Sequence, residues 1–249
     1  MDSYLFDEML GQEKTHWWWL SRRAIIRSRL NALQLPQDAS ILEAGCGSGG
    51  NLGMLASLGR PLYAFEINDK PRANAVALKL ATVEYGALPG PIPFPGLDFD
   101  LICLIDVLEH VEDDKASLAA LAGRLKPDGV LCVNVPAFQC LFSRHDRLHR
   151  HFRRYSKPQL LRMLQDAGFT IEFAGYWNFF LFPAAILARL VDALGFSKGH
   201  AIGAKEPPGT INRFLTALVS SERYLLPYMA LPFGLSLLVL ARKSKQASP

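Results

Sequence analysis

The fold turns on one stretch, Ile41-Leu42-Glu43-Ala44-Gly45-Cys46-Gly47-Ser48-Gly49-Gly50. Residues 41–44 read as a short strand that breaks into glycines, and 51–58 then read as a helix closed by Gly59. A strand, a glycine turn and a helix open a parallel α/β sheet, and the turn lets backbone approach a ligand closely. Gly45, Gly47 and Gly50 fit GxGxxG, which leaves a dinucleotide formally open. Glu43 points elsewhere. A carboxylate two residues before the first glycine repels a pyrophosphate and suits a ligand that presents a cationic amine.

The same alternation continues outward. Residues 62–67 read as a strand, 69–80 as a helix and 82–85 as a short strand before the Pro-rich loop 89–95. Residues 100–105 and 130–135 are apolar strands, separated by a helix over 113–125 and the turn Lys126-Pro127-Asp128-Gly129. A helix over 158–167 ends at Gly168, and 169–176 is again a strand. Unbroken apolar runs are strands buried on both faces. Strands spaced by helices form βαβ units. The expected fold is therefore α/β, a doubly wound, mostly parallel seven-stranded sheet, with its ligand beyond the carboxyl ends of the strands.

The flanks differ from this core. Residues 15–33 have helical spacing, with Trp18, Ile25, Ile26, Leu30 and Leu33 on one face and Thr15 as N-cap. Residues 177–232 leave the alternation and read as two apolar helices, near 180–194 and 210–226, joined by a loop over 199–209. Residues 233–241 form the last strand. The chain reads as a single domain over 1–249. Residues 1–39 are an N-terminal helical lid, 40–176 the core, 177–232 a helical cap insert and 233–249 the last strand and tail.

Four motifs in this order resemble class I S-adenosylmethionine (SAM)-dependent methyltransferases. They are Glu43-x-Gly45-x-Gly47-x-Gly49, Glu66 at the end of the second strand, the run Phe99-Asp100 to Val107-Leu108-Glu109-His110-Val111, and Leu125-Lys126-Pro127-Asp128-Gly129. Asp128 stands where the family usually has glycine. The resemblance implies SAM as cofactor, with Glu43 serving the methionine amino group and Gly45, Cys46, Gly47 and Gly49 passing under the cofactor. It implies that Glu66 accepts from both ribose hydroxyls, which suits the two oxygens of a carboxylate. Ile67, Ala87, Leu88 and Asp106 complete the expected cofactor shell. Relatives often carry an Asp after the third strand for the adenine amino group. Here Tyr85-Gly86-Ala87-Leu88-Pro89 offers none, so backbone around Gly86 and Ala87 takes that part.

His110 follows the fourth strand, and its ordinary pKa suits a base that orients or deprotonates an acceptor; a histidine bonding its own turn is the plain alternative. Residues 143–154 hold five arginines and three histidines. The stretch resembles an HDxxxxHxRRY segment of a methyltransferase subgroup found beside glycosyltransferases in surface-glycan and lipid pathways. His145, His149, His151, Arg153, Arg154 and Tyr155 are thus candidate contacts to an anionic acceptor, a solvated charge run being the alternative. RNA is a weaker option, because the run lacks the aromatic interleaving of RNA modules; no nucleic-acid partner is expected. Trp17-Trp18-Trp19 with Arg22-Arg23 resembles an HWWxxxRR stretch of the same subgroup, placing Trp18 and Arg22 over the acceptor, with core packing of the aromatics as the alternative. Asp106, Glu109 and His110, with His149 or His151, also resemble ubiquinone-pathway and small-RNA O-methyltransferases, which raises a divalent cation; the sequence leaves the metal unknown.

Composition bounds the rest. The chain has 249 residues, half of them hydrophobic and a fifth charged, so it buries a core and is not disordered. A net charge of +4 is too small to demand nucleic acid. Cys46, Cys103, Cys132 and Cys140 form no CxxC pair, which fits a reducing compartment. The opening MDSYLFDEML lacks the basic and apolar regions of a signal peptide, so a cytoplasmic location is expected. Mean hydropathy is +0.12, and the surplus lies in the insert. Residues 173–188 and 224–241 carry no charge, yet neither exceeds the roughly 20 residues that span a bilayer. The insert reads either as a cap that shapes the acceptor pocket or as a membrane-interface element with Arg189, Lys198, Lys205, Arg213 and Arg223 toward anionic head groups. The expected activity is O-methylation of a small, glycan- or lipid-linked acceptor. A nicotinamide oxidoreductase and a membrane- or RNA-associated binding module that retains SAM are the competing classes.

Overall fold

The computed structural model describes residues 10–193 and 206–244. Lys198, Lys205 and most of the loop expected over 199–209 lie outside them. Seven strands, β1 (Ile41–Ala44), β2 (Leu62–Glu66), β3 (Thr82–Tyr85), β4 (Phe99–Ile105), β5 (Leu125–Pro136), β6 (Phe169–Trp177) and β7 (Ser236–Lys243), form one sheet in the order β3-β2-β1-β4-β5-β7-β6. The helices are α1 (Trp17–Asn31), α2 (Leu52–Ala56), α3 (Asp69–Ala77), α4 (Asp114–Gly123), α5 (Arg144–Leu148), α6 (Lys157–Asp166), α7 (Phe182–Ala193) and α8 (Gly209–Ser221).

The sheet is mixed, which corrects the mostly parallel expectation. β1 to β5 pair in parallel, but β7 runs antiparallel to both β5 and β6. The connection explains it. Trp177, the end of β6, sits opposite Ser236, the start of β7, so residues 178–235 leave and return at one edge. Pro136 at the end of β5 also pairs with Ser236, which makes this the carboxyl edge shared with the central strands. The extra helices therefore rise where the ligand cleft of such a sheet lies.

Each face of the sheet is covered. On one, Leu118, Leu121, Leu160 and Leu164 of α4 and α6 pack on Leu104, Val133 and Val239. On the other, Ile25, Ile26 and Leu30 of α1 and Val219 of α8 pack on Ile41, Leu101, Cys103, Cys132 and Leu240. Each such aliphatic side chain contributes about 1.5–3 kcal/mol when fully buried.

Local boundaries shift for physical reasons. α1 is capped by His16, whose Nδ1 accepts from Trp18 N–H at 3.2 Å, and not by Thr15. Thr15 Oγ1 instead donates to Glu206, and Asn212 of α8 accepts from Trp17 N–H at 2.8 Å, which ties the start of α1 to the insert. α8 stops before the expected 226 because Glu222 turns inward, fully buried, and accepts from the N–H groups of Asn178, Phe179 and Phe180. The expected turn over Lys126 to Gly129 lies within β5 as an irregularity in its pairing with β4, with Asp128 at φ +62°. Among the described residues, no helix is long and apolar enough to cross a membrane.

Candidate active site

The glycine turn ends β1 and lies against β2. Gly45 and Cys46 both donate their N–H groups to Phe65 O, at 3.0 and 2.9 Å. Gly45 has φ +73°, and a Cβ there would meet the Val107 side chain at 2.9 Å, so glycine is required twice over. Gly47 has φ +53° and open space where its Cβ would stand, which is the room a ligand needs. Gly49, at φ +88°, is walled by Leu78 and Leu52 and carries the turn into α2. Cys46 is buried, and burial pushes its thiol far up, so it serves packing and not nucleophilic chemistry.

Two carboxylates flank this turn. Glu66 Oε2 accepts from Gly47 N–H at 3.0 Å, and Oε1 accepts from Asn68 N–H and Nδ2 at 2.9 and 2.8 Å. Glu43 is 1% exposed. Its Oε1 accepts from Asn51 Nδ2 at 2.8 Å, and its Oε2 has no partner. Burial raises the Glu43 pKa to about 7, against the opposing pull of Asn51 and Arg22. A carboxylate with one orphaned oxygen is incomplete without a cationic or N–H donor.

Arg22, expected at the acceptor, joins this group instead. It is buried, its Nη1 donates to Asp106, and its Nη2 donates to Asn51 Oδ1 at 2.9 Å. Trp18 and Trp19 lie against its guanidinium, 4.8 and 4.4 Å from their ring centroids. Trp18 also packs 6.3 Å from Trp177, so the aromatics both join the core and clamp the arginine. Asp106, at φ +54°, accepts from Asn134 Nδ2 at 2.7 Å, and Asn134 accepts from Trp177 Nε1 at 2.8 Å. A continuous polar chain thus runs Glu43–Asn51–Arg22–Asp106–Asn134–Trp177 across the carboxyl edge. Asn51 and Asn134 had no signal in the sequence, since Arg22 is 29 residues from Asn51, and Asp106 and Trp177 are 28 and 43 from Asn134.

The expected adenine wall is partly corrected. Ile67 is 52% exposed and open to a planar ligand, and Leu88 is half-buried. Ala87 N–H, however, donates to Pro91 O at 3.0 Å, and Gly86 is pressed against Phe65 and Pro93. The Ala87 donor is thus committed to its own loop.

A second cluster stands past β4. Glu109, His110 and His151 each offer a ligand atom within 4.8 Å of the others. Glu109 is buried with Oε2 unpartnered, and burial with the nearby Asp106 charge holds its carboxyl well above the usual range. Burial, then His151 and His149, lowers the His110 pKa to about 3, so its ring is neutral. His151 Nδ1 lies 2.9 Å from Asp146 Oδ1, which orients the ring. This trio is a fit for a divalent cation: an oriented histidine, a neutral one and a buried carboxylate in need of positive charge. Asp106 and His149 are not part of it. His145 and His149 pack beside it with ring centroids 4.2 Å apart and tilted by 45°, and burial with His149 lowers the His145 pKa to about 3.

The arginines of the loop build the frame around this cluster. Arg154 is buried and meets both Asp146 oxygens, at 2.8 and 3.1 Å. Burial alone would raise the Asp146 carboxyl, but the bonds from His151 and Arg154 outweigh it and hold it well below the usual range. Arg153 pairs with Asp114 at 2.7 Å and with Glu112 O at 2.7 Å. Tyr155 is fully buried, with its hydroxyl on Leu108 O and Asp114. The polar atoms of Arg154 and Tyr155, expected on the acceptor, are thus spent inside the chain. Asp146 organises the loop through a capping box with Ser143 that starts α5, a Ser-x-x-Asp signal the sequence did carry.

A family model described as a methyltransferase domain matches residues 17–173. A Mycolicibacterium smegmatis protein named "Probable S-adenosylmethionine-dependent methyltransferase" is 27% identical over 159 residues, 62% of this chain and 60% of that protein. The ubiquinone biosynthesis O-methyltransferase of Xanthomonas axonopodis pv. citri is 27% identical over 158 residues, 55% of this chain and 65% of that protein. The alignments thus span less than two thirds of these relatives' lengths. A structure of the Haloferax volcanii Trm112 methyltransferase activator in complex with a methyltransferase matches 100% of this chain and 97% of the matched chain, with a TM-score of 0.64. Its 17% identity shows the shared fold alone.

Proposed function

The chain belongs to the SAM-dependent methyltransferase family, and on that premise we propose that it O-methylates a small acceptor with a polar head and an apolar or lipid-linked body. The observation that carries this reading is the buried, unpartnered Glu109 Oε2 beside His110, in the turn that follows the end of β4. When bound, SAM supplies the methyl group as a sulfonium electrophile. Glu43 Oε2 receives the ammonium of its methionine end, Glu66 receives the ribose hydroxyls, and Ile67 covers the adenine. Arg22 and Asp106 brace the cleft floor through Asn51 and Asn134.

His110 accepts a hydrogen bond from the acceptor hydroxyl and fixes the oxygen in line with the methyl. Burial makes His110 a weak base, which suffices here. The proton on an oxygen that has just been alkylated is strongly acidic, and it leaves to His110 as the new C–O bond forms. A divalent cation on Glu109, His110 and His151 is the other use of the same cluster: it would take the His110 lone pair, ionise Glu109 and polarise an acceptor hydroxyl in place of the base.

The apolar part of the acceptor has a matching surface. Phe138 stacks on Tyr176 at 5.0 Å and meets Phe182, which meets Phe233, which stacks with Phe179. This row leads from the end of β5 into α7. Leu187, Phe214, Tyr224 and Tyr228 of the insert are exposed, with Arg213 next to Phe214 in the chain and Arg223 against Tyr224, and they support peripheral contact with an anionic membrane that holds the acceptor. The N-terminal helix and the insert act as lid and cap over the cleft.

The test is methyl transfer from labelled SAM to a panel of quinols, polyprenyl-linked glycans and water-soluble catechols, with and without Mg²⁺. Transfer to a hydroxyl of an apolar acceptor, lost in His110→Ala, supports the reading. Transfer confined to amines or to nucleic acid overturns it.

A further inference from the structure

Glu13 precedes α1, and its carboxylate rests on the glycine turn. Both of its oxygens accept from Ser48 Oγ at 3.0 Å. It stands so close over Gly50 that a Cβ there would lie 2.7 Å from Glu13 Oε2. Arg23 clips the same corner, donating to Glu13 O at 2.7 Å and Gly50 O at 3.3 Å. Arg22 and Arg23 both draw the Glu13 carboxyl down electrostatically, although burial, the larger effect, raises it.

A carboxylate on a hydroxyl, with guanidinium charge around it, is the arrangement that receives a free carboxylate ligand. Ser48 is one residue beyond the open Gly47, and Glu43, with its unpartnered oxygen, lies on the same turn. An amino acid presents an ammonium and a carboxylate a single carbon apart. Glu43 matches the first, and the Ser48 corner matches the second. Two carboxylates cannot share one hydroxyl donor without strong repulsion.

We infer that Glu13 fills the subsite for the α-carboxylate of the cofactor's methionine end, so that the N-terminal segment and the cofactor compete for Ser48. The inference rests on the glycine turn being the SAM site. Cofactor entry then moves Glu13 off Ser48. The chain's own carboxylate lowers apparent SAM affinity and couples cofactor occupancy to the position of the segment that leads into α1.

The test is calorimetric titration of the full chain and of Glu13→Gln with two ligands, SAM and 5′-methylthioadenosine, which lacks the amino-acid end. Glu13→Gln keeps the side-chain length and a hydrogen bond to Ser48, and thermal melting checks that it folds. The expected result is SAM binding at least about fivefold tighter in Glu13→Gln, with 5′-methylthioadenosine unchanged. Unchanged or weaker SAM binding overturns the inference, and so does an equal gain for both ligands, which reports general loosening of the segment. Should Glu13→Gln not fold, Glu13→Ala gives the second arm. It is expected to tighten SAM and spare 5′-methylthioadenosine, and unchanged or weaker SAM binding overturns the inference. If the unaltered chain binds neither ligand, the SAM-site reading fails, a result distinct from SAM binding that Glu13 does not affect.

Discussion

Asn51 Nδ2 donates to Glu43 Oε1 at 2.8 Å, while Oε2 of the same carboxylate is buried with no partner. Half of this carboxylate is thus satisfied by the fold, and the other half is buried without a donor, at a cost to stability.

Glu43→Gln separates the two halves. The folded pKa of about 7 lies above the ordinary carboxylate value, so the folded chain holds an extra proton between about pH 4.5 and 7, and stability from this group falls as pH rises through that window. Above pH 7 the penalty is complete, about 3 kcal/mol at about 1.4 kcal/mol per pKa unit. Glu43→Gln is therefore more stable than the parent in urea melts at pH 8, and the gain vanishes near pH 4.5. Its SAM affinity falls about tenfold or more, as removal of a charged hydrogen-bond partner requires. In the parent chain, SAM affinity drops as pH falls below 7, and the variant loses that dependence.

Glu66→Ala removes the acceptor shared by Gly47 N–H and Asn68. SAM binding weakens by about 1–3 kcal/mol in calorimetry. A variant lacking the ribose hydroxyls' partner but binding a ribose-free fragment normally would localise the loss.

Asp146→Asn breaks a buried pair, since Arg154 keeps its charge, loses the opposing one and keeps only one acceptor oxygen of the two. The chain loses about 3–5 kcal/mol, measured by denaturant melts. His151 is released from its orienting partner as well, so kcat falls while the SAM dissociation constant stays near that of the parent.

His110→Ala is expected to lower kcat by about 100-fold or more without changing SAM affinity, as the proposed role at the acceptor requires. Glu109→Gln tests the cation. If a divalent ion serves the cluster, the parent is inhibited by a chelator and restored by Mg²⁺, and Glu109→Gln responds to neither.

The glycine turn and the strands around it were legible because their signals are local. Glu43 and Glu66 sit at the ends of adjacent apolar strands, and the glycines between them have few other uses. The rest depends on partners distant in sequence. Arg22 resembled an acceptor contact until Asp106, 84 residues away, and Asn51 claimed it. Arg153, Arg154 and Tyr155 formed a charged loop on paper, yet Asp146 and Asp114 draw them inward. The apolar run of β7 carries no direction of its own, and the pairing of Trp177 with Ser236 supplies it. The Glu109–His110–His151 grouping joins a turn to a loop 41 residues later, and four histidines left the choice open.

Native mass spectrometry of the full chain, titrated in turn with SAM and with NAD, tests the central claim most directly. The account predicts a one-to-one SAM complex, no NAD complex, and a SAM complex weakened about 5- to 150-fold in a folded Glu66→Ala variant. A chain that binds NAD and not SAM, or a Glu66→Ala variant that retains SAM as the parent does, would contradict it.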